Sequence, residues 1–293
     1  MRSLLLALAL PLLVASSGCS SSSTASSTTA STTTGTTTGG AGGAGTGGAG
    51  GAGTGGTGGA AAGGSGGGAA ALCTTPPAVP CSDQVVVEMN LQSDVTTGAI
   101  SSDADGAGFR SKVDATAGGA FVPKPESYTY GRFTATGLEK VEISDEKALE
   151  SMDWDIAFRR YVVRINSKYS GPSCVQAARV PGKTYDEVTA VPEKLTYHVD
   201  DYFTDSPDCS LIPDGSGLPG SPANALSSYW TYGNCVKMSH NVFVVALADG
   251  RHLKLEVESY YTAAVQDQCD TKDSIPQDNT GSANFVVRWA FLP

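Results

Sequence analysis

Val242–Tyr261, VFVVALADGRHLKLEVESYY, is two apolar-alternating runs joined by Asp249-Gly250. Period-two alternation is the signature of a strand with two unlike faces, and Asp-Gly is a preferred pair for a two-residue type I′ turn. That turn predicts one apolar face made by Val242, Val244 and Ala246 beside Leu253, Leu255 and Val257. Phe243, Val245 and Leu247 then share the other face with His252, Lys254 and Glu256. A β-hairpin of this length needs further strands to cover it, so the search moves outward along the chain.

Downstream, Phe285–Phe291 puts Phe285, Val287, Trp289 and Phe291 on one side of a last strand. Upstream, Trp154–Ile165 alternates more loosely, with Trp154, Ile156, Phe158 and Val162 sharing one parity. Val85–Leu91 is an apolar run bounded by polar residues and reads as a strand. Only Asp145–Met152 has a helical pattern, for about two turns. Long connections rich in Gly and Pro surround Pro207–Pro222. The predicted fold class is all-β: a single antiparallel β domain over residues 73–293, with long irregular loops.

The first 72 residues have a different character. Arg2 precedes an almost unbroken apolar run, Leu4–Ala15, which is too short for a bilayer span of about 20 residues but suits a signal-peptide core. Ser16-Ser17-Gly18-Cys19 resembles a lipobox, although Ser16 stands where leucine is usual. The reading is a signal peptide over 1–18 and lipidation at Cys19. An ordinary secretory signal with an incidental cysteine would not explain the low-complexity segment that begins directly after it. Ser20, in place of Asp, implies sorting to the outer membrane. Residues 20–72 are almost wholly Ser, Thr, Gly and Ala. Such a chain buries too little apolar surface to offset its ordering entropy, so a disordered tether with a span of roughly 40 Å is expected. The protein is then anchored to the membrane through lipid and displayed at the cell surface.

Arg2 aside, the charges all lie beyond residue 82: 29 acidic and 18 basic residues, a formal charge of −11. That balance argues against nucleic acid as a partner. Besides Cys19, six cysteines remain: Cys73, Cys81, Cys174, Cys209, Cys235 and Cys269. In an exported chain they read as up to three disulfides, with 15 possible connectivities. Cys73 with Cys81 would be a local pair, and Cys235 with Cys269 would tie the hairpin to the following loop. No Cys-x-x-Cys spacing for a structural zinc site occurs.

Several stretches, taken in order, resemble the HmuY family of haem-binding bacterial lipoproteins. Val113-Asp114-Ala115-Thr116-Ala117-Gly118-Gly119 is similar to an Asp-Ala-Ser-Ala-Gly-Gly segment of that family. Trp154-Asp155-Ile156-Ala157-Phe158-Arg159-Arg160 resembles its Trp-Asp-hydrophobic-Ala-Phe core, followed by Asn166-Ser167 and Ser170-Gly171-Pro172. Tyr229-Trp230-Thr231-Tyr232, the Ala248-Asp249-Gly250 turn, Lys254-Leu255 and Ser259-Tyr260-Tyr261 complete the likeness.

The resemblance implies haem held in a cleft by two axial side chains, within an aromatic surround. Founding members use histidines and relatives use methionine. His198 and His240 are the implied pair, with Met238 a substitute ligand and Tyr197, Tyr229 and Trp230 the surround; His252 ranks third. The implied function is a haemophore-like carrier taking haem from the medium or from haemoproteins and passing it to an outer-membrane transporter. The alternative is a non-catalytic surface or adhesion lipoprotein on the same scaffold without haem.

An enzyme is not expected. Gly215-Ser216-Gly217 lacks the strand–turn–helix context of a nucleophile elbow. The acidic clusters Asp200-Asp201 and Asp267–Asp273 lack EF-hand spacing and read as solvated loops.

Overall fold

A computed structural model describes residues 73, 75–116, 126–205, 207–216, 218, 221–278 and 280–293. The signal segment, Cys19 and the tether lie outside the described residues, as do Ala117-Gly118-Gly119 of the first family-like stretch.

Twelve strands are described, all paired antiparallel. They are β1 (Ile100–Asp105), β2 (Gly108–Asp114), β3 (Thr129–Thr134), β4 (Gly137–Val141), β5 (Ile156–Arg159), β6 (Val162–Ile165), β7 (Gln176–Val180), β8 (Trp230–Tyr232), β9 (Val236–Met238), β10 (Val242–Ala246), β11 (His252–Ser259) and β12 (Asn284–Leu292). One sheet has six strands in the order β1-β2-β12-β11-β10-β7 and a second has four, β4-β3-β5-β6; β8 and β9 form a separate hairpin. The predicted antiparallel β class is therefore what the chain adopts.

The main core lies where these sheets face one another. Phe133, Ile156, Phe158, Val163 and Ile165 of the four-stranded sheet meet Phe243, Val245, Leu253, Leu255, Phe285, Val287 and Trp289 of the six-stranded one. β12 behaves as its alternation predicts: Phe285, Val287 and Trp289 are buried on one face. A second cluster, with Tyr128, Tyr130, Trp154, Tyr169 and Tyr202, covers the outer face of the four-stranded sheet. A third, with Tyr185, Val188, Val242 and Val244, covers that of the six-stranded sheet.

The central hairpin forms, but with the two faces of β10 exchanged relative to β11. Phe243 pairs with Leu255 and Val245 with Leu253, while Val242 pairs with Glu256 and Val244 with Lys254. The cause is the turn. The Leu247 N–H donates to the Arg251 carbonyl at 2.9 Å, and the Gly250 N–H to the Leu247 carbonyl at 3.0 Å. The loop is thus three residues, Ala248-Asp249-Gly250, with Gly250 left-handed at φ 86°. That is a type I turn closed by a left-handed glycine, and one residue of slip moves every side chain to the opposite face. Phe243 and Val245 therefore enter the core, and Val242 and Val244 join the outer cluster.

Trp154–Ile165 is a hairpin rather than one strand. β5 and β6 turn at Arg160-Tyr161, with Arg160 at φ 52°. The turn reverses parity, so Val162 packs with Trp154 and Ala157 in the second cluster while Ile156 and Phe158 enter the main core.

Val85–Leu91 is not a strand. Its first half belongs to helix α1 (Ser82–Glu88). Val85 and Met89, four residues apart, point into the second cluster. The Arg159 guanidinium caps the helix end by donating to the Met89 and Asn90 carbonyls. Helix α2 is the single turn Asp145–Ala148, shorter than predicted, with the Ser144 hydroxyl accepting from the Lys147 N–H. Helix α3 (Ala263–Lys272) occupies the stretch read as an acidic loop.

Asp200 also departs from the solvated-loop reading. It is fully buried and accepts from the Ile165 N–H, the Ser170 hydroxyl and the Ala225 N–H.

Three disulfides join Cys73 to Cys174, Cys81 to Cys209 and Cys235 to Cys269. Cys73 and Cys81 do not pair with each other; each instead pins the domain entrance to a distant loop. Cys235–Cys269 forms as expected, although its second partner lies on α3. Among the described residues no helix is long and apolar enough to cross a membrane.

Candidate functional site

The two implied axial histidines are separated. His198 is exposed beside the edge strand β7, where its N–H donates to the Ala177 carbonyl at 2.8 Å and its carbonyl accepts from the Ala177 N–H at 2.9 Å. His240 is exposed, left-handed at φ 52°, and its Nδ1 lies 2.8 Å from Glu256 Oε1 on β11. Ala177 is level with Val245 in the sheet, and Glu256 is level with Val242. Three residues of rise and three strand spacings put His198 roughly 15–20 Å from Glu256. Two imidazoles on one iron must approach to about 4 Å. The structure does not bring this pair together.

The remaining implied residues fall into two groups. Tyr197 packs in the outer cluster, with its ring 6.3 Å from that of His252, and its buried hydroxyl has no partner among the described residues. Tyr229, Trp230 and Met238 lie on the other side of the six-stranded sheet. Trp230 and Met238 are cross-strand partners in the β8–β9 hairpin. The Tyr229 hydroxyl donates to the Tyr161 carbonyl at 2.6 Å. The Met238 N–H donates to Asp270 on α3.

Beside this hairpin opens a cleft of about 860 Å³, within the 300–1,000 Å³ or so typical of small-molecule sites. Its walls are tyrosines from three places in the chain: Tyr161 at the β5–β6 turn, Tyr232 at the end of β8, and Tyr260-Tyr261 just after β11. Leu218 and Ile275 add apolar surface, and Arg160 supplies the cationic side chain. The aromatic wall continues inward, since the Trp230 ring lies 5.3 Å from Tyr161 and 6.2 Å from both Tyr229 and Tyr232.

Local structure explains why these rings converge. Arg160 takes the left-handed conformation that closes the β5–β6 turn, which pushes Tyr161 to the sheet end. Gln266 on α3 is buried, and its carbonyl accepts from the N–H groups of both Tyr260 (2.9 Å) and Tyr261 (3.2 Å). Its amide donates to the Val236 carbonyl on β9 at 3.1 Å. One side chain thus ties the tyrosine pair to the hairpin, and Cys235–Cys269 fastens the same two elements covalently. The Tyr261 hydroxyl accepts from the Val236 N–H at 3.0 Å.

The hydroxyls of Tyr161, Tyr232 and Tyr260 make no hydrogen bond among the described residues. Burial pushes the Tyr161 phenol above its ordinary range, and the Arg160 charge opposes that shift. Burial and then the neighbouring Tyr261 raise Tyr260, again against Arg160. Burial raises Tyr261 also. The cleft therefore presents neutral phenols, aromatic faces, the Arg160 cation and, from the segment after α3, the Asp278 carboxylate. Neither histidine nor methionine is among the described residues that line it.

Sequence reasoning named Tyr229 and Trp230, which stand behind the cleft and are not among its lining residues, and did not name Arg160, Tyr161, Tyr232, Tyr260 or Tyr261 as site residues. The available signal was the recurrence of tyrosine at the ends of the family-like segments.

Fold and cleft together define an antiparallel β domain with a cleft of small-molecule size. The HmuY protein family model matches residues 124–272, about half the chain, and the chain belongs to that family. Three solved structures are similar. A candidate lipoprotein of Bacteroides fragilis NCTC 9343 is 14% identical, with 64% of this chain and 92% of that one covered and a TM-score of 0.40. A candidate HmuY-like haem-binding protein of Bacteroides vulgatus ATCC 8482 is 17% identical over 62% and 91%, with a TM-score of 0.38. The apo form of a HmuY analogue of Tannerella forsythia is 18% identical over 68% and 99%, with a TM-score of 0.35. A comparison with curated proteins finds no match.

Proposed function

We propose that this chain is a lipid-anchored haem-binding protein that seats haem in the tyrosine-lined cleft. The observation that carries the reading is the cleft itself: about 860 Å³, walled by four tyrosines and flanked by Arg160. Aromatic faces would stack on a porphyrin, and the guanidinium would pair with its carboxylates. A bound haem would supply a ferric centre open to axial donors. The protein's part is to bind, orient and shield it, without making or breaking bonds in it.

The anchor at Cys19 and the tether over 20–72 would hold the domain clear of the outer membrane, within reach of haemoproteins and of a transporter that takes the cargo onward.

Haemin titrated into the purified chain, followed by its Soret absorption, should saturate at one equivalent. Ile275→Glu, which places a negative charge in the cleft opposite the ligand's carboxylates, should abolish that saturation. The double variant His198→Ala with His240→Ala should leave it intact. Loss of binding in the histidine variant alone would move the site from the cleft to those side chains. Absence of saturable binding in the wild type would leave a surface or adhesion lipoprotein on the same scaffold.

A further inference from the structure

Resting on the cleft as the haem site, we infer that Tyr260 is the residue that ligates the iron, through its phenolate oxygen. No imidazole or thioether is among the described residues lining the cleft, so oxygen donors are what the walls offer: the phenols, and the Asp278 carboxylate, which is exposed to solvent. Tyrosine is an established axial ligand for haem iron.

Among the four tyrosines, Tyr260 combines rigidity with a free hydroxyl. The residue is 5% exposed. Its ring is wedged edge-on between Tyr261, at 4.8 Å, and Phe285, at 5.4 Å. Its backbone is held by Gln266, and its hydroxyl has no hydrogen-bond partner among the described residues. The others are less suited. The Tyr261 hydroxyl already accepts from the Val236 N–H. Tyr232 stands at the mouth, 46% exposed. Tyr161 sits on a tight turn and is only half-buried.

Ligation transfers no electron. One phenol proton leaves to solvent as the oxygen binds ferric iron, and the metal's charge offsets the cost of ionising a buried phenol. Arg160 lies close enough to Tyr260 to favour the anion electrostatically, a positioning contribution additional to any pairing with carboxylates.

The test compares haemin with metal-free protoporphyrin IX, which offers the same plane and carboxylates but no iron. Both are titrated into the wild-type chain, Tyr260→Phe and Tyr161→Phe, and the haemin complexes are examined by resonance Raman for phenolate modes. Tyr260→Phe should lose the phenolate modes and weaken haemin by at least about tenfold, while metal-free porphyrin binds as in wild type. That unchanged binding also reports an intact fold. Tyr161→Phe should keep the phenolate modes. Phenolate modes surviving in Tyr260→Phe, or equal losses for both porphyrins, would overturn the assignment to Tyr260 while leaving the cleft reading standing. Failure of the wild type to bind either porphyrin would overturn both.

Discussion

His240 Nδ1 and Glu256 Oε1 lie 2.8 Å apart, joining the residue that leads into β10 to the middle of β11 on the outer side of the six-stranded sheet. The carboxylate bond raises the His240 pKa above its ordinary 6.5, against a smaller opposing effect of burial. The histidine thus holds its proton at a pH where a free one would lose it. A pKa raised on folding stabilises fully below the unfolded value, and that contribution disappears as pH rises through the folded value. With the side chain 56% exposed, solvent screening keeps it small. In an NMR titration, Glu256→Gln should lower the His240 midpoint toward its ordinary value. An unchanged midpoint would show that the pair does not form in solution.

Asp155 carries a pH dependence of the same sign for a different reason. Burial pushes its carboxyl up to about 6, only partly countered by the bond it accepts from the Phe133 N–H at 2.8 Å. The folded state therefore keeps a proton that the unfolded chain gives up near pH 4. Stability contributed by this group is complete below about pH 4 and is lost as pH rises through 6, by up to about 3 kcal/mol. Asp155→Asn keeps an acceptor for Phe133 and removes the titration. Urea denaturation should show the variant gaining on wild type between pH 4 and pH 7. A constant difference across that range would refute the assignment.

Gly171 explains why the Ser-Gly-Pro segment tolerates no side chain at its centre. A Cβ there would fall 2.2 Å from Asn166 Oδ1 and 2.8 Å from Trp154 Cζ2. Asn166 cannot move aside freely, because its amide donates to the Trp154 and Ser151 carbonyls and its Oδ1 accepts from the Ser173 N–H. Gly171→Ala should therefore cost about 2–4 kcal/mol, through overpacking and loss of a buried hydrogen bond. Thermal melting checks this, and a variant as stable as wild type would show that the loop repacks.

What could be read from the sequence follows the range of the forces involved. Alternation in β11 and β12 was legible because burial on one face of a strand is written locally. The hairpin register was not, since Asp249-Gly250 serves a two-residue turn or the last two residues of a three-residue loop equally well. Val85-Val86-Val87 favours a strand, yet Arg159 and Cys209 hold the segment helical from 70 or more residues away. α3 is too polar to announce itself; of its three buried residues, Val265, Gln266 and Cys269, one is itself polar. The cleft suffers most, because its tyrosines meet from segments about 100 residues apart. Histidines drew attention by being rare, and the fold puts His198 and His240 at exposed positions outside the cleft.

The Cys235–Cys269 disulfide offers a way to separate support of the cleft from support of the fold. It closes a loop of 34 residues, which in the chain-entropy account is worth about 3–4 kcal/mol. Cys73–Cys174 closes 101 residues and should be worth somewhat more. Cys235 lines the cleft, and its partner sits on α3 three residues from Gln266, which holds the Tyr260 and Tyr261 backbone. Cys73 and Cys174 are not among the residues lining it. Replacing each pair by serine should therefore rank oppositely in two measurements. Loss of Cys73–Cys174 should lower the melting temperature more, whereas loss of Cys235–Cys269 should weaken metal-free porphyrin more, because α3 and the hairpin no longer hold the tyrosines in register. If affinity simply tracked melting temperature across the two variants, the disulfide would be acting through global stability alone.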